Sequence, residues 1–247
     1  MSEQQVELKI LRQDSPDASP RWEHFKVPLV PYMNVLSCLT EIRKNPVDIH
    51  GKPVAPITWD AACLEEVCGS CTMLINGKVR QACSAMIKDL KQPIELRPMT
   101  KFPVLRDLQV DRTKIFNNFK RVEAWIEIDG THDLGPGPRY SADLADLRYE
   151  LSRCMACGCC LEVCPNFGPQ SPFVGAATVN QARLFNTHPT GALKQSSRID
   201  ALMEEGGIQD CGNAQNCVSA CPQEIPLTTS LAEIMKSATK RMLFGKD

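Results

Sequence analysis

The segment Cys154-Met155-Ala156-Cys157-Gly158-Cys159-Cys160-Leu161-Glu162-Val163-Cys164-Pro165 carries thiols at the spacing C-x2-C-x2-C-x3-C-P. A second segment, Cys211-Gly212-Asn213-Ala214-Gln215-Asn216-Cys217-Val218-Ser219-Ala220-Cys221-Pro222, repeats it with Ala214 in place of the second thiol. Thiolates are soft ligands, and this spacing holds iron–sulfur clusters in pairs. Three thiolates of a run grip one cluster, and the fourth reaches across to the other. Crossing the fourth ligands gives Cys154, Cys157, Cys160 and Cys221 for one centre, a full set suited to [4Fe–4S]. The other receives Cys164, Cys211 and Cys217, with the Ala214 methyl at the fourth corner. A methyl group cannot bind iron, so the expected product is [3Fe–4S]. Cys159 falls between ligand positions and reads as a buried spectator, since free cysteine packs as a small hydrophobe.

A third group obeys a different grammar. Cys63, Cys68, Cys71 and Cys83 follow C-x4-C-x2-C…C, the plant-type pattern for [2Fe–2S]. Three thiolates in so tight a loop need backbone that bends closely, which Gly69 can supply. Backbone N–H groups of the loop can then donate to the sulfurs and tune the centre. Asn76-Gly77, between Thr72–Ile75 and Lys78–Ala82, is a strong hairpin signal, and the hairpin returns Cys83 beside the loop.

Other chemistries find little support. A lone C-x-x-C could be a zinc knuckle or a redox pair, but three groups with two iron–sulfur grammars and Cys-Pro endings argue against zinc. His24, His50, His132 and His188 show no ligand spacing, so each reads as a surface or structural histidine. There is no nucleophile elbow, P-loop or dinucleotide fingerprint. The 247 residues permit one or two domains with a real core, and a net charge of −1 carries no nucleic-acid footprint. Thirteen cysteines behind a polar start (Met1-Ser2-Glu3-Gln4-Gln5) fit metal-bound thiolates in a reducing compartment better than a disulfide scaffold. No apolar run reaches bilayer-spanning length. The expected chemistry is one-electron transfer, with substrate chemistry elsewhere.

The positioning elements follow from periodicity. Residues 6–14 and 21–30 alternate as strands around the Ser15-Pro16-Asp17 turn. Asn34 is placed to cap a helix with Val35, Leu36, Leu39 and Ile42 on one face; Cys38, on the same helix, reads as core. Ile94–Arg97 adds a strand. Residues 111–128 carry a helical pattern, although Val122 to Ile128 could frame an extended piece, and 129–138 read as loop. Ser141 caps a helix that delivers Cys154. Further helices are expected over about 174–187 and 197–205, and through Leu231, Ile234 and Met235.

A plant-type centre followed by one full and one defective bacterial run resembles the iron–sulfur subunit of succinate dehydrogenase and fumarate reductase. Glu65-Glu66-Val67-Cys68-Gly69-Ser70-Cys71, Ile75-Asn76-Gly77, Phe102-Pro103-Val104-Leu105-Arg106-Asp107-Leu108 and Asn216-Cys217-Val218 agree with it. The resemblance implies an α+β fold class. Residues 1–108 would form a β-grasp plant-type ferredoxin domain, and 109–247 an all-α bacterial-ferredoxin-like domain. It also implies a partner flavoprotein with covalently bound FAD, and a cytochrome b membrane anchor subunit with haem and quinone. Electrons would pass from FAD through [2Fe–2S], [4Fe–4S] and [3Fe–4S] to quinone. The chain would sit peripherally on the cytoplasmic face of a bacterial inner membrane.

Ubiquinone-using relatives tend to carry a tryptophan pair soon after the first Cys-Pro and a histidine after the cysteine equivalent to Cys211. Here the residues are Pro165-Asn166-Phe167-Gly168-Pro169 and Gly212. Ser171-Pro172-Phe173-Val174-Gly175, Arg183-Leu184-Phe185-Asn186-Thr187-His188-Pro189 and Asp210-Cys211-Gly212-Asn213 instead resemble the dihaem-anchor branch that uses menaquinone. Rival readings are the wiring subunit of another fumarate- or heterodisulfide-type reductase, a free ferredoxin-like carrier, and a zinc-stabilised module.

Overall fold

Alternation of apolar and polar side chains makes Gln5–Arg12 (β1) and Arg21–Pro28 (β2) an antiparallel pair, in register from Gln5↔Pro28 to Arg12↔Arg21. Val6, Leu8 and Ile10 face inward and are fully buried. In the computed structural model, residues 4–126 and 139–245 are described, and the chain divides into two units, Met1–Arg112 and Thr113–Asp247.

In the first unit, Thr72–Ile75 (β3), Lys78–Gln81 (β4) and Ile94–Arg97 (β5) complete a five-stranded sheet of order β2-β1-β5-β3-β4. β5 runs parallel to β1, and the other pairings are antiparallel. The single parallel pair requires a crossover. Val35–Lys44 (α1) lies in it and buries Val35, Leu36, Cys38, Leu39 and Ile42 in the same core as the sheet. This is the β-grasp arrangement. Asn34 caps α1 as expected: its Oδ1 accepts the Ser37 N–H at 2.9 Å, and Ser37 Oγ reciprocates toward the Asn34 N–H.

A small hairpin, Val104–Arg106 (β6) and Gln109–Val110 (β7), closes the unit. No sequence signal marked it. Asp107 at its tip adopts φ 48° and is fully buried against Arg12. Their ion pair measures 2.8 Å.

The second unit is helical: Thr113–Arg121 (α2), Ala142–Ser152 (α3), Cys159–Glu162 (α4), Ala176–Asn186 (α5), Gln195–Met203 (α6), Asn216–Ser219 (α7) and Leu227–Phe244 (α8). Ser141 caps α3 by accepting the Leu144 N–H. α5 buries Ala176, Ala177, Thr178, Val179, Asn180 and Ala182. Asn180 Nδ2 donates to Leu151 O at 3.0 Å, and Ser230 Oγ donates to Asn180 Oδ1 at 3.2 Å. One buried amide thus ties α3 and α8 to α5.

The helix expected over 111–128 is shorter. It stops at Arg121, because Glu123 turns to φ 45° and the chain bends through 122–126. Those residues form no strand, so the extended piece considered for 122–128 does not form within 122–126. Residues 127–128, the 129–138 loop and His132 lie outside the described residues. Among the described residues no helix is long and apolar enough to cross a membrane.

Candidate metal centres

The loop from Cys63 to Cys71 is bent by three left-handed residues, Leu64 (φ 63°), Glu66 (φ 60°) and Gly69 (φ 70°). Each such bend turns amides toward the sulfurs. Cys63 Sγ accepts from Glu65 N at 3.3 Å and Val67 N at 3.5 Å. Cys68 Sγ accepts from Cys63 N and Ser70 N, both at 3.5 Å, and Ser70 Oγ lies 3.4 Å away. Burial pushes the Cys68 thiol up, but the Ser70 hydroxyl and these amides outweigh it and hold the pKa near 6. Cys83 is brought beside the loop by β4, where Ala82 N donates to Cys71 O at 3.1 Å. Burial, then the adjacent Cys71, pushes Cys83 up to about 12. Ser84 Oγ donates to Glu66 Oε1 at 2.7 Å and pins the loop to the turn after β4.

Nothing in the sequence pointed to Arg112, yet it grips this loop. Its guanidinium donates to the carbonyls of Gly69 and Ser70, the latter at 2.6 Å.

In the second unit the two cysteine runs follow one backbone path. Ala156 (φ 52°) and Gly158 (φ 88°) are left-handed, and α4 begins at Cys159. Asn213 (φ 52°) and Gln215 (φ 61°) are left-handed, and α7 begins at Asn216. The offsets from Cys154 and from Cys211 are identical. Cys154, Cys157, Cys160 and Cys221 all line one cavity, with Ala177, Ile225 and Leu227 in its wall. Cys164, Cys211 and Cys217 line another, together with Ala214, Phe173, Ala176 and Leu231. Cys221 thus lines the cavity of Cys154, Cys157 and Cys160, and Cys164 that of Cys211 and Cys217.

Electrostatics tell the same story. Cys160 is raised well above an ordinary thiol by burial and then by charge on Cys157, Cys154, Cys221 and Cys217. Burial and the charges of Cys164 and Cys211 raise Cys217. Thiols crowded this way resist ionising together unless a cationic centre compensates them. The thiols stand around the walls of cavities, which suits a group of several irons. The donor sets therefore fit the expected clusters.

Cys159 is fully buried in α4, and Cys38 is fully buried in the first unit's core, its thiol pushed up to about 12 by burial. His188 Nδ1 accepts from Thr190 N and Gly191 N, a structural role. His24 lies on β2, and His50 in an exposed turn. Lys114, also unsignalled, donates to Gly168 O and Ser171 O, both at 2.6 Å, and lies over the ring of buried Phe167. It braces the loop after Cys164-Pro165, where Gly212 packs near Asn166.

Residues 7–117 match the family model of a 2Fe-2S iron-sulfur cluster binding domain, and 150–225 that of a 4Fe-4S dicluster domain. The chain is 55% identical to the succinate dehydrogenase iron-sulfur subunit of Bacillus subtilis, over all of this chain and 99% of that one. It is 29% identical to the fumarate reductase iron-sulfur subunit of Wolinella succinogenes, covering 93% of this chain and 95% of the relative. A chain in the structure of the Mycobacterium smegmatis Sdh1 complex in the apo form shares the fold. Its TM-score is 0.78 at 22% identity, over 97% of this chain and 98% of that one.

Proposed function

Because this chain belongs to the family of iron–sulfur subunits of succinate dehydrogenases and fumarate reductases, we propose that it is the electron-transfer subunit of a succinate:quinone oxidoreductase. Its thiols would hold [2Fe–2S] at Cys63, Cys68, Cys71 and Cys83, [4Fe–4S] at Cys154, Cys157, Cys160 and Cys221, and [3Fe–4S] at Cys164, Cys211 and Cys217. Such clusters, when bound, accept and release single electrons without transferring a proton or a group. The observation that carries the reading is the pair of cavities in the helical unit, one lined by four thiols and one by three and Ala214.

The chain's own residues bind and tune. Amides of Glu65, Val67 and Ser70 donate to thiolate sulfurs and stabilise added negative charge. Phe173, Ala176 and Leu231 at one of the other two sites, and Ala177, Ile225 and Leu227 at the other, give the thiols apolar walls. The partners are a flavoprotein subunit with FAD, where succinate and fumarate interconvert, and a haem-bearing membrane anchor serving quinone. Menaquinone is favoured by the residues after Cys164 and Cys211, which lack the tryptophan pair and the histidine. Through the anchor the chain sits peripherally on the cytoplasmic face of the cell membrane. The domain division read from the sequence, 1–108 and 109–247, separates the plant-type centre from the other two, and the compact units divide four residues later, after Arg112.

Anaerobic purification of the intact complex from membranes tests this. Three distinct cluster signals by electron paramagnetic resonance, a chain with covalent FAD and a haem-containing chain are expected. Two clusters, or zinc in place of iron, would sink the proposal.

A further inference from the structure

We infer that Arg112 is a positioning residue that raises the reduction potential of the [2Fe–2S] centre by fixing and polarising the peptide group between Gly69 and Ser70. This rests on the assignment of Cys63, Cys68, Cys71 and Cys83 as its ligands. A trans peptide is planar, with C=O and N–H pointing in opposite directions. The Gly69 carbonyl accepts from Arg112 Nη1, and also from Thr72 Oγ1 at 2.8 Å. The N–H at the other end of that same peptide, on Ser70, points at Cys68 Sγ at 3.5 Å. One rigid group therefore has a guanidinium behind it and a ligand sulfur before it.

Three features make the arrangement specific. Gly69 has φ 70° and no Cβ, so its own side chain cannot fix the plane of the peptide, and the partners of the carbonyl must do so. The guanidinium fork spans two successive carbonyls, Gly69 O and Ser70 O at 2.6 Å, which a lysine ammonium does not match. Gln81 Nε2 donates to Thr72 Oγ1 at 2.9 Å, so the hydroxyl sharing the Gly69 carbonyl is itself held. A charged donor on the carbonyl strengthens the N–H as a donor through the shared amide.

Reduction adds one electron to the centre; no bond is made or broken and no proton moves. The added negative charge faces an N–H backed by a fixed positive charge, so the reduced state gains more than the oxidised state. The effect runs through the Gly69–Ser70 peptide and needs no direct contact of Arg112 with sulfur.

A redox titration of the intact holo-complex, followed by the [2Fe–2S] paramagnetic signal, tests it on Arg112→Gln and Arg112→Lys. For Arg112→Gln the ratio of reduced to oxidised centre at a given potential should fall about tenfold, a midpoint about 59 mV lower for one electron. Arg112→Lys, which keeps charge but not the fork, should fall between that value and wild type. If Arg112→Gln does not retain the cluster, the Arg112→Lys midpoint decides. Wild-type midpoints in a variant holding a full [2Fe–2S] signal would overturn the inference. So would loss of the [2Fe–2S] centre from both variants, which marks a scaffold role alone. Absence of that signal from the wild-type complex would instead remove the ligand assignment.

Discussion

Cys157 and Ala214 stand at the same step of the same backbone path. Each lies three residues beyond the first cysteine of its loop, directly before a left-handed residue, Gly158 or Gln215, and two before a short helix. The alanine therefore sits where a thiolate would, lining the cavity with Cys164, Cys211 and Cys217. Ala214→Cys should complete a set of four thiolates. The expected result is loss of the three-iron paramagnetic signal from the oxidised complex, with one more iron per chain. An unchanged spectrum with the thiol present would remove Ala214 from the site.

Crossing of the fourth ligands makes a prediction of its own. Cys221 belongs in sequence to the second run but lines the cavity of Cys154, Cys157 and Cys160. Its charge raises Cys160 and Cys154, after burial and nearer groups. Cys221→Ser should diminish the [4Fe–4S] signal more than the [3Fe–4S] signal, and Cys164→Ser should do the reverse. The opposite pattern would mean that each run serves a single centre.

Local signals were the readable ones. The cysteine spacings, the Asn34 cap and the Asn76-Gly77 hairpin each depend on residues a few positions apart, so each left a pattern in the text. Arg12 and Asp107 are 95 residues apart, and Arg112 is 43 from Gly69. Arginine and aspartate in isolation read as surface charge, and only the folded chain shows what they hold. The same holds for the end of α2. A left-handed glutamate at 123 violates residue preference, so apolar periodicity alone ran the helix too far.

Asp107 shows what such a pair does. Its carboxylate accepts from Arg12 Nε at 2.8 Å, Gln13 N at 3.1 Å and Thr58 N at 2.9 Å, joining the end of β1 to the irregular stretch that leads to Cys63. Without it Arg12 keeps Glu23 as counter-ion at 2.7 Å, but the Gln13 and Thr58 amides lose their acceptor, at about 1–3 kcal/mol. Asp107→Ala should lower the unfolding free energy of the holo-protein by that measure. Hydrogen exchange at the Gln13 and Thr58 amides should accelerate. Unaltered protection at both would show that the carboxylate does not organise this junction.

Cys38 separates buried thiols from ligands. Burial, then the charge of Glu41, pushes it from 9.0 to about 12, so the thiolate is about a thousandfold scarcer than for an ordinary thiol at the same pH. The raised value belongs to the folded state. Its contribution to stability is therefore complete below about pH 9, where both states are protonated, and declines as pH climbs toward 12. At pH 8 a maleimide should leave Cys38 unmodified in the native holo-protein and label it only after unfolding, as read by mass spectrometry of the peptide. Rapid native labelling would contradict its burial.

Gly175 links packing to the four-thiol site. It adopts φ 82° with ψ 164°, a region that residues with a Cβ rarely enter. A Cβ built there would meet Leu161 Cδ2 at 2.1 Å, on the short helix that carries Cys160. Gly175→Ala therefore combines backbone strain with overpacking, each costing about 1–3 kcal/mol. The variant should unfold at a lower temperature and lose its [4Fe–4S] signal sooner on heating, because Leu161, buried on the helix that carries Cys160, must repack. Adding Leu161→Ala should relieve the contact but not the dihedral. The double variant should then recover cluster retention in part, relative to Leu161→Ala alone. Full recovery would mean the dihedral costs nothing, and none would mean the contact with Leu161 is irrelevant.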